Sequence, residues 1–216
     1  MSQLVLHNYF RSSTSIRVRI ALNLKGLSYD YVAHHLRKGE HHAPAYLELN
    51  PQGLVPVLVL ENGAVLAQSL AIIEYLEERF PEPALLPPDA IGKARIRALA
   101  YAVAYEIHPI NNLRVLNYLK TELGQDESAT VEWFKFWVAT TFEPLEKQLA
   151  TAPETGRFCH GDTPTLADIC LFAQVVNNRR FNVDMAPYPT IRKVIEACST
   201  EDAFLAALPE RQPDAE

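Results

Sequence analysis

The chain has 216 residues, of which 48% are hydrophobic and 21% are charged, and its formal net charge is −6 at pH 7. This composition is typical of a folded globular protein, in one large domain or two small ones, and excludes a disordered chain. The charge is acidic and the histidines are scattered, so the sequence offers no basic stripe that could neutralise a phosphate backbone. We therefore expect no nucleic-acid partner.

The sequence also argues against a membrane protein. No apolar stretch approaches the roughly 20 residues that span a bilayer, and the first residues lack the basic start and long apolar middle of a signal peptide. The three cysteines, Cys159, Cys170 and Cys198, fit neither a C-x-x-C motif nor paired zinc ligands. We expect a cytoplasmic protein whose cysteines are buried thiols.

The first 80 residues alternate between strand and helix patterns. Residues 4–10 favour a strand, and residues 11–26 favour a helix that begins at a serine N-cap and ends at Gly26. Apolar residues inside that segment alternate as in a strand, but the residues between them and the cap favour helix. The next five segments predict a strand, a helix, two strands and a helix: "LSYDYVAHHL", "APAYLELN", "LVPVLVL", "AVLA" and "SLAIIEYLEERF". With the first strand and helix, the predicted order is β-α-β-α-β-β-α.

Four prolines in residues 81–90 interrupt this pattern and predict a linker at about 81–89. We expect an α/β domain over 1–82 and an all-helical domain over 83–216. Thr165 and Asp168 have the spacing of a capping box at a helix start. The predicted helical segments of the second domain are 90–120, 127–150, 165–181, 188–198 and 201–208.

The hydroxyl groups before the first helix suggest a binding site. A helix N-terminus presents unpaired N–H groups and a partial positive charge, which favour an anion such as a thiolate. Ser12, Ser13 and Thr14 would add hydroxyl donors. The segment has no cysteine, so a thiol would have to arrive with a ligand. The alternative is that Ser12 or Ser13 is only an N-cap and the others are solvated.

Two further chain corners carry polar groups. The Val55–Pro56 bond precedes a strand and could be cis, which would leave backbone polar groups available to a ligand. Gln68 and Ser69 lie at another helix start and could hold a ligand carboxylate, although Ser69 could also be a simple N-cap.

The sequence resembles the zeta class of the glutathione transferases, which includes maleylacetoacetate and maleylpyruvate isomerases. The resemblance covers nearly the whole chain and is carried by "SSTSIRVRIAL", "NPQGLVPVL", "QSLAIIEYLEERFPEPALLP", "EIHPINNLRVL", "GDTPTLADICL" and "RRFNVDMAPYPTI". It implies a thioredoxin-like glutathione-binding domain followed by a helical substrate-binding domain, with glutathione as cofactor. It also implies a homodimer and cis–trans isomerisation of a small maleyl dicarboxylate in aromatic compound or tyrosine degradation.

The resemblance assigns roles to particular residues. Ser12, Ser13 and Thr14 match the motif that contacts the glutathione sulfur, and Arg11, directly before them, would stabilise anionic intermediates of the reaction. The other glutathione-binding positions match His41, Gln52, Val55, Gln68, Ser69, His108 and Asn112. The spacing of His108 and Asn112 predicts one helical face, in a helix that Pro109 should kink. A buried core histidine is the alternative for His108.

Three arginines match the substrate side. Arg11, Arg114 and Arg180 could bind two carboxylates, because a guanidinium binds a carboxylate bidentately. Taken singly, Arg180 could instead be a partner of a helix dipole and Arg114 a solvated charge. Many maleylacetoacetate isomerases have serine at the position of Arg114, so this residue favours the maleylpyruvate pattern. No histidine pair has a metal-ligand spacing, and we expect no metal.

The sequence departs from many zeta-class members at Thr14, where they have cysteine. Thr14 cannot form a mixed disulfide, which argues against thiol–disulfide chemistry such as reductive dehalogenation but not against isomerisation. Two alternatives stay open at this stage, a transferase or dehalogenase acting on small α-haloacids and a non-catalytic binding module. A thioredoxin-like reductase is rejected, because no cysteine lies near residues 11–16.

Overall fold

A computed structural model describes residues 4–216 and divides the chain into two compact units. The first unit comprises the chain through Leu85 together with Ser199–Glu216, and the second comprises Leu86–Cys198. The change between units, between Leu85 and Leu86, lies inside the proline-rich segment. The C-terminal 18 residues, however, belong to the first unit, whereas the sequence pattern grouped them with the helical domain.

The first unit contains a mixed sheet of four strands, and the sequence pattern predicted their number and their order along the chain. Its strand order is β2-β1-β3-β4, with β2 parallel to β1, β3 antiparallel to β1, and β4 antiparallel to β3. The strands are β1 Leu4–Asn8, β2 Tyr29–Ala33, β3 Val57–Val59 and β4 Val65–Ala67.

The helices follow the predicted order, except that two helices and a π-helical segment stand where one helix was expected over 90–120. In chain order they are α1 Ser13–Leu24, α2 Pro44–Leu49, α3 Ser69–Arg79, α4 Ala90–Tyr101, α5 Leu113–Thr121, α6 Glu127–Thr151, α7 Leu166–Arg179, α8 Pro189–Cys198 and α9 Asp202–Leu205. Short 3-10 segments cover Leu36–Lys38, Glu40–His42 and Pro209–Arg211, and a π-helical segment covers Ala102–Ile107. No helix within residues 4–216 is long and apolar enough to cross a membrane.

Helix α1 is buried on nearly all sides, which explains its unusual sequence pattern. It contacts both α3 and α9. Even Arg17 and Arg19 within it are buried, with relative exposures of 1% and 0%. A helix that is covered all around has no polar stripe, so its apolar residues need not follow a helical period. The strand-like alternation in the sequence is therefore compatible with helix.

A buried ion pair joins the end of α1 to α3 and to the start of the proline-rich segment. Lys25 Nζ lies 2.5 Å from Glu77 Oε2 and donates to the Pro83 carbonyl at 2.8 Å. The Glu77 carboxylate also accepts from the Leu85 amide at 2.9 Å. The Glu77 carboxylate thus ties Leu85, the last residue before the second unit, to Lys25 at the end of α1.

The second unit is helical throughout its regular structure, but the expected single helix over 90–120 is wrong. Helix α4 ends at Tyr101, the π-helical segment follows, and a turn precedes α5. Pro109 in that turn has no N–H for an intrahelical hydrogen bond, and the Asn112 side chain caps a new helix by accepting from the Arg114 amide at 3.1 Å. His108 and Asn112 therefore do not share one helical face.

Two carboxylates fix the starts of α7 and α8. The predicted capping box is present, with Asp168 Oδ2 accepting from the Thr165 amide at 2.8 Å and from its hydroxyl at 2.6 Å. The Glu146 carboxylate on α6 accepts from the Thr190 and Ile191 amides at 2.8 and 2.9 Å, which caps α8. The three cysteines are free and buried, as expected.

Candidate functional site

The start of α1 uses its hydroxyl groups for different purposes. Ser12 is the N-cap, and its Oγ accepts from the Ser15 amide at 3.3 Å. Ser13 is the first helical residue and is buried. The fully buried Ser15 accepts from the Tyr9 amide at 3.4 Å, which ties the helix to the turn before it. Ser12 is therefore an N-cap, as one interpretation of the sequence proposed, but the buried Ser13 and Ser15 are not solvated as that interpretation expected.

Ser12 and Thr14 form a directed chain of hydrogen bonds. Thr14 Oγ1 donates to the Val55 carbonyl at 3.0 Å, and Ser12 Oγ lies 2.8 Å from Thr14 Oγ1. A hydroxyl has one proton, so Ser12 must donate to Thr14 when Thr14 donates to Val55. The Ser12 proton is the one that can turn toward an incoming anion while the Thr14–Val55 bond is kept.

Arg11 precedes this helix start and lies over an aromatic ring. Its guanidinium carbon is 4.7 Å from the centre of the Phe10 ring, within the range of a cation–π contact. The side chain is half-buried. A positive charge is therefore held one residue before the hydroxyl that can donate to an anion.

The loop before β3 faces the Thr14 hydroxyl. The Val55–Pro56 peptide bond is cis. Two side chains hold the preceding carbonyl of Leu54, the Tyr46 hydroxyl at 2.6 Å and the Asn50 side-chain amide at 2.8 Å. Sequence analysis missed Tyr46 and Asn50, since a hydrogen bond to a main-chain carbonyl leaves no spacing signal.

Gln68 and Gln52 meet at the start of α3. Gln68 Nε2 donates to Gln52 Oε1 at 2.9 Å, and both side chains are exposed. The N-cap of α3 is Gln68 rather than Ser69, and Ser69 is the first helical residue and buried. Gln68 has φ 70° and ψ 115°, a conformation that is costly for a residue with a Cβ. Such strained residues cluster at functional sites.

His41 carries a polar atom that the described part of the chain does not satisfy. Its Nδ1 is buried and has no hydrogen-bond partner within residues 4–216. Burial and the neighbouring His42 and His34 lower the pKa of His41, so the ring is neutral at pH 7. A buried nitrogen of this kind is normally paired, and a bound ligand would satisfy it.

The candidate residues of the second unit lie at helix ends. Arg114 is exposed near the start of α5. Arg180 is exposed at the C-cap of α7, where its Nη1 donates to Asn177 Oδ1 at 3.4 Å and its guanidinium carbon lies 5.5 Å from the centre of the Phe181 ring. His108 is half-buried in the turn before α5. Within residues 4–216, no three His, Cys, Asp or Glu side chains form a group that could hold a metal.

Comparison with known proteins places these features in a family. Residues 11–79 match the family described as glutathione S-transferase, N-terminal domain. The chain is 55% identical to a maleylpyruvate isomerase of Ralstonia sp, over 97% of this chain and 98% of the relative.

Two solved structures share the fold over nearly the whole length. One is the holo structure of a maleylpyruvate isomerase described as a bacterial zeta-class glutathione S-transferase, with a TM-score of 0.96, 53% identity, and coverage of 98% of this chain and 100% of that chain. The other is a maleylacetoacetate isomerase from Methylobacterium extorquens AM1 with bound malonate and glutathione, with a TM-score of 0.95, 40% identity, and coverage of 98% and 99%. The chain therefore belongs to the zeta class of the glutathione transferase family.

Proposed function

We propose that this protein is a glutathione-dependent isomerase that converts a small maleyl dicarboxylate, maleylpyruvate or maleylacetoacetate, to the fumaryl isomer. The single observation that carries the proposal is the Ser12–Thr14–Val55 chain at the start of α1, which leaves one hydroxyl proton able to turn toward an anion. The names of the relatives and the ligands bound in the second solved structure support the substrate and the cofactor.

The residues of the first unit fit glutathione in their chemistry. We propose that the glutathione sulfur is bound by the Ser12 hydroxyl and the N-terminus of α1. Ser13 and Thr14 form the first turn of that helix. A helix N-terminus and a hydroxyl donor both stabilise a thiolate. The Val55 backbone is assigned to the cysteinyl amide, because its carbonyl has a second lone pair beside the one that accepts from Thr14.

The remaining polar groups are assigned to the ends of the tripeptide. Gln68 and Ser69 at the start of α3 would take the γ-glutamyl end, with Gln52 orienting Gln68 through their amide hydrogen bond. His41 would form a hydrogen bond to glutathione through its Nδ1. The support for this contact is that Nδ1 is buried and has no hydrogen-bond partner within the described residues. From the second unit, His108 and Asn112 are assigned to glutathione by the family resemblance alone.

When bound, glutathione supplies a thiolate that adds reversibly to the conjugated cis double bond, so that the carbon–carbon bond can rotate before the thiolate leaves again. The protein's own groups stabilise negative charge during this reaction. Ser12 keeps the sulfur anionic, and Arg11 stabilises negative charge that moves onto the substrate. Fixed donors and cations of this kind often supply the largest share of catalysis.

Arg11, Arg114 and Arg180 are assigned to the two substrate carboxylates. The two candidate acids differ in how far the second carboxylate lies from the double bond, so a fixed cation can favour one of them. We propose that Arg114 favours maleylpyruvate, the acid with the shorter separation. The helical second unit would thus set substrate preference, while the first unit binds glutathione.

The test is steady-state isomerisation of both acids, with and without glutathione, by the wild type and by Arg114→Ser. We expect no turnover without glutathione, and in Arg114→Ser a lower ratio of kcat/KM for maleylpyruvate to kcat/KM for maleylacetoacetate. Arg192→Ser, which removes an exposed arginine from α8, is the matched control. An unchanged ratio in Arg114→Ser would contradict the selectivity proposal, and glutathione-independent turnover would contradict the mechanism.

We also propose that the protein works as a cytoplasmic homodimer, which rests on the resemblance to the zeta class. Light scattering on the purified protein would measure the mass in solution. A mass equal to the single-chain value of 24.3 kDa would contradict the dimer.

A further inference from the structure

The C-terminal residues 207–216, here called the C-terminal strap, contact the turn that leads into α1. Asp214 Oδ2 accepts from the Phe10 amide at 3.2 Å, across 204 positions of sequence. Asp214 Oδ1 accepts from the Tyr31 hydroxyl at 2.5 Å. One carboxylate thus joins the turn after β1 to the neighbouring strand β2.

Buried Arg19 holds the same turn through its carbonyl groups, whereas Asp214 holds it through an amide. Its Nη2 donates to the Phe10 carbonyl at 2.9 Å and to the Ala207 carbonyl at 2.9 Å. Its Nη1 donates to Asn8 Oδ1 at 2.8 Å and to the Tyr9 carbonyl at 3.3 Å. Because Asp214 takes the Phe10 amide and Arg19 takes the Phe10 carbonyl, both main-chain polar groups of Phe10 are fixed by charged side chains.

Two more side chains, Gln212 and Glu216, hold the end of the strap. Gln212 Nε2 donates to the Ala206 and Leu208 carbonyls, both at 2.8 Å. Glu216 Oε1 lies 2.8 Å from His35 Nε2, and this contact lowers the pKa of the Glu216 carboxyl. The strap is therefore fixed on both sides of Asp214, which gives the Asp214 carboxylate a defined position.

The held turn is the one that presents the proposed sulfur-binding groups. Phe10 is followed directly by Arg11 and Ser12, and the Ser12 amide donates to the Tyr9 carbonyl at 3.0 Å. A shift of the Phe10 peptide would therefore move both Arg11 and the Ser12 hydroxyl. Catalytic groups lose much of their effect when they are displaced by about 1 Å.

We propose that Asp214 is a positioning residue, which acts through the Phe10 amide to aim the Ser12 hydroxyl at the glutathione sulfur and to hold Arg11 beside it for the substrate. This inference rests on the proposed function, because it needs that turn to hold the sulfur. The two oxygens of Asp214 are taken up by the Phe10 amide and the Tyr31 hydroxyl, so its effect would pass through the turn. The C-terminal strap is in this way part of the machinery of the first unit, although it follows the helical unit in sequence.

The test compares Asp214→Ala with Asp214→Asn. The alanine variant removes the acceptor for the Phe10 amide, whereas the asparagine variant removes the charge and keeps an oxygen that can accept. The readout is the pKa of the thiol of bound glutathione, measured by the ultraviolet absorbance of the thiolate against pH. Partial unfolding would lower the amount of protein that binds, but it would not change this pKa in the molecules that do.

We expect Asp214→Ala to raise the pKa of the bound thiol by about one unit, which means roughly tenfold less thiolate at a pH well below that pKa. Asp214→Asn should stay close to the wild type. Tyr31→Phe, which removes one donor to Asp214 and leaves the Phe10 contact, should lie between them and carries the test if Asp214→Ala does not fold. Asp30→Ala and Asp30→Asn, at an exposed carboxylate on β2, are the matched controls.

Three outcomes would overturn the positioning role. They are a bound-thiol pKa that is the same in Asp214→Ala as in the wild type, an equal change in Asp214→Ala and Asp214→Asn, and an equal change in the Asp30 variants. The proposed function fails separately, if the wild type binds glutathione without lowering the pKa of its thiol.

Discussion

At the residue scale, three of the four adjacent hydroxyl side chains at the start of α1 have separable tasks. Ser15 ties the helix start to Tyr9, Ser12 caps the helix, and Thr14 bridges from α1 to the loop before the cis proline. The sequence identifies the group as a set, because a run of hydroxyls before a helix is a local pattern. The directions of the Ser12 and Thr14 hydroxyl protons depend on the Val55 carbonyl, 41 positions from Thr14.

This arrangement predicts different effects for two substitutions of Thr14. Thr14→Val keeps the shape but removes the donor to the Val55 carbonyl, and a lost hydrogen bond costs about 1 kcal/mol, which corresponds to roughly a fivefold change. We expect kcat/KM for glutathione to fall by about that factor, and Thr14→Ser to retain the wild-type value. Steady-state kinetics at varied glutathione measure this. Equal values for Thr14→Val and the wild type would show that the bridge has no part in binding.

At the element scale, some helices are capped by a residue nearby in sequence and others by a residue on a distant helix. Asp168 lies three residues from its partner Thr165, and the capping box was predicted from that spacing and is confirmed. The cap of α8 comes from Glu146, 44 positions before Thr190, and sequence analysis did not find it. A cap supplied by another helix has no fixed spacing.

The Glu146 contact predicts a measurable loss of stability. Glu146→Ala removes the acceptor for two amides at a helix N-terminus, and losses of such caps cost about 1–2 kcal/mol. Urea unfolding should give a free energy of unfolding lower by that amount, with a smaller loss for Glu146→Gln, which keeps one oxygen. Glu143→Ala, one turn earlier on the exposed side of α6, is the control. Equal losses in Glu143→Ala and Glu146→Ala would contradict the capping role.

At the scale of the whole molecule, stability should depend on pH through histidines of the first unit. His7 Nδ1 lies 2.9 Å from His34 Nε2, and the two rings stack at 5.2 Å between centres. Burial lowers the pKa of both residues and of His41. Glu40 opposes the shift of His34, whereas His34 lowers the pKa of both His7 and His41.

The sign of the pH effect follows from these shifts. Each of the three histidines has a lower pKa in the folded chain than in the unfolded chain, so the unfolded chain binds protons first as the pH falls. The stabilisation is complete above the unfolded-state pKa of about 6.5 and is lost as the pH falls through it toward the lower folded values.

We therefore expect the free energy of unfolding to decrease between about pH 7 and pH 5, and His34→Gln to make this decrease shallower. Urea unfolding at a series of pH values measures both slopes. His160→Gln in the second unit is the matched control for replacing one histidine. A slope in His34→Gln equal to that of the wild type, or equal changes in both variants, would contradict the assignment to this histidine cluster.

The sequence by itself determined the order of strands and helices in the first 80 residues and the types of residue at the start of α1. These features depend on near neighbours, because caps, turns and hydrophobic periods act over a few residues. The family resemblance then assigned glutathione and an isomerase activity. Its residue-by-residue assignments stay predictions until the variants are measured.

Only the tertiary structure decided which distant segments complete the first unit. The sequence gives no sign that Ser199–Glu216 returns to the sheet, that Asp214 receives the Phe10 amide, or that Arg19 is buried among carbonyl groups. It also does not reveal the turn that separates α4 from α5. A contact between residues about 200 positions apart depends on the path of the whole chain, and no local pattern of side chains encodes that path.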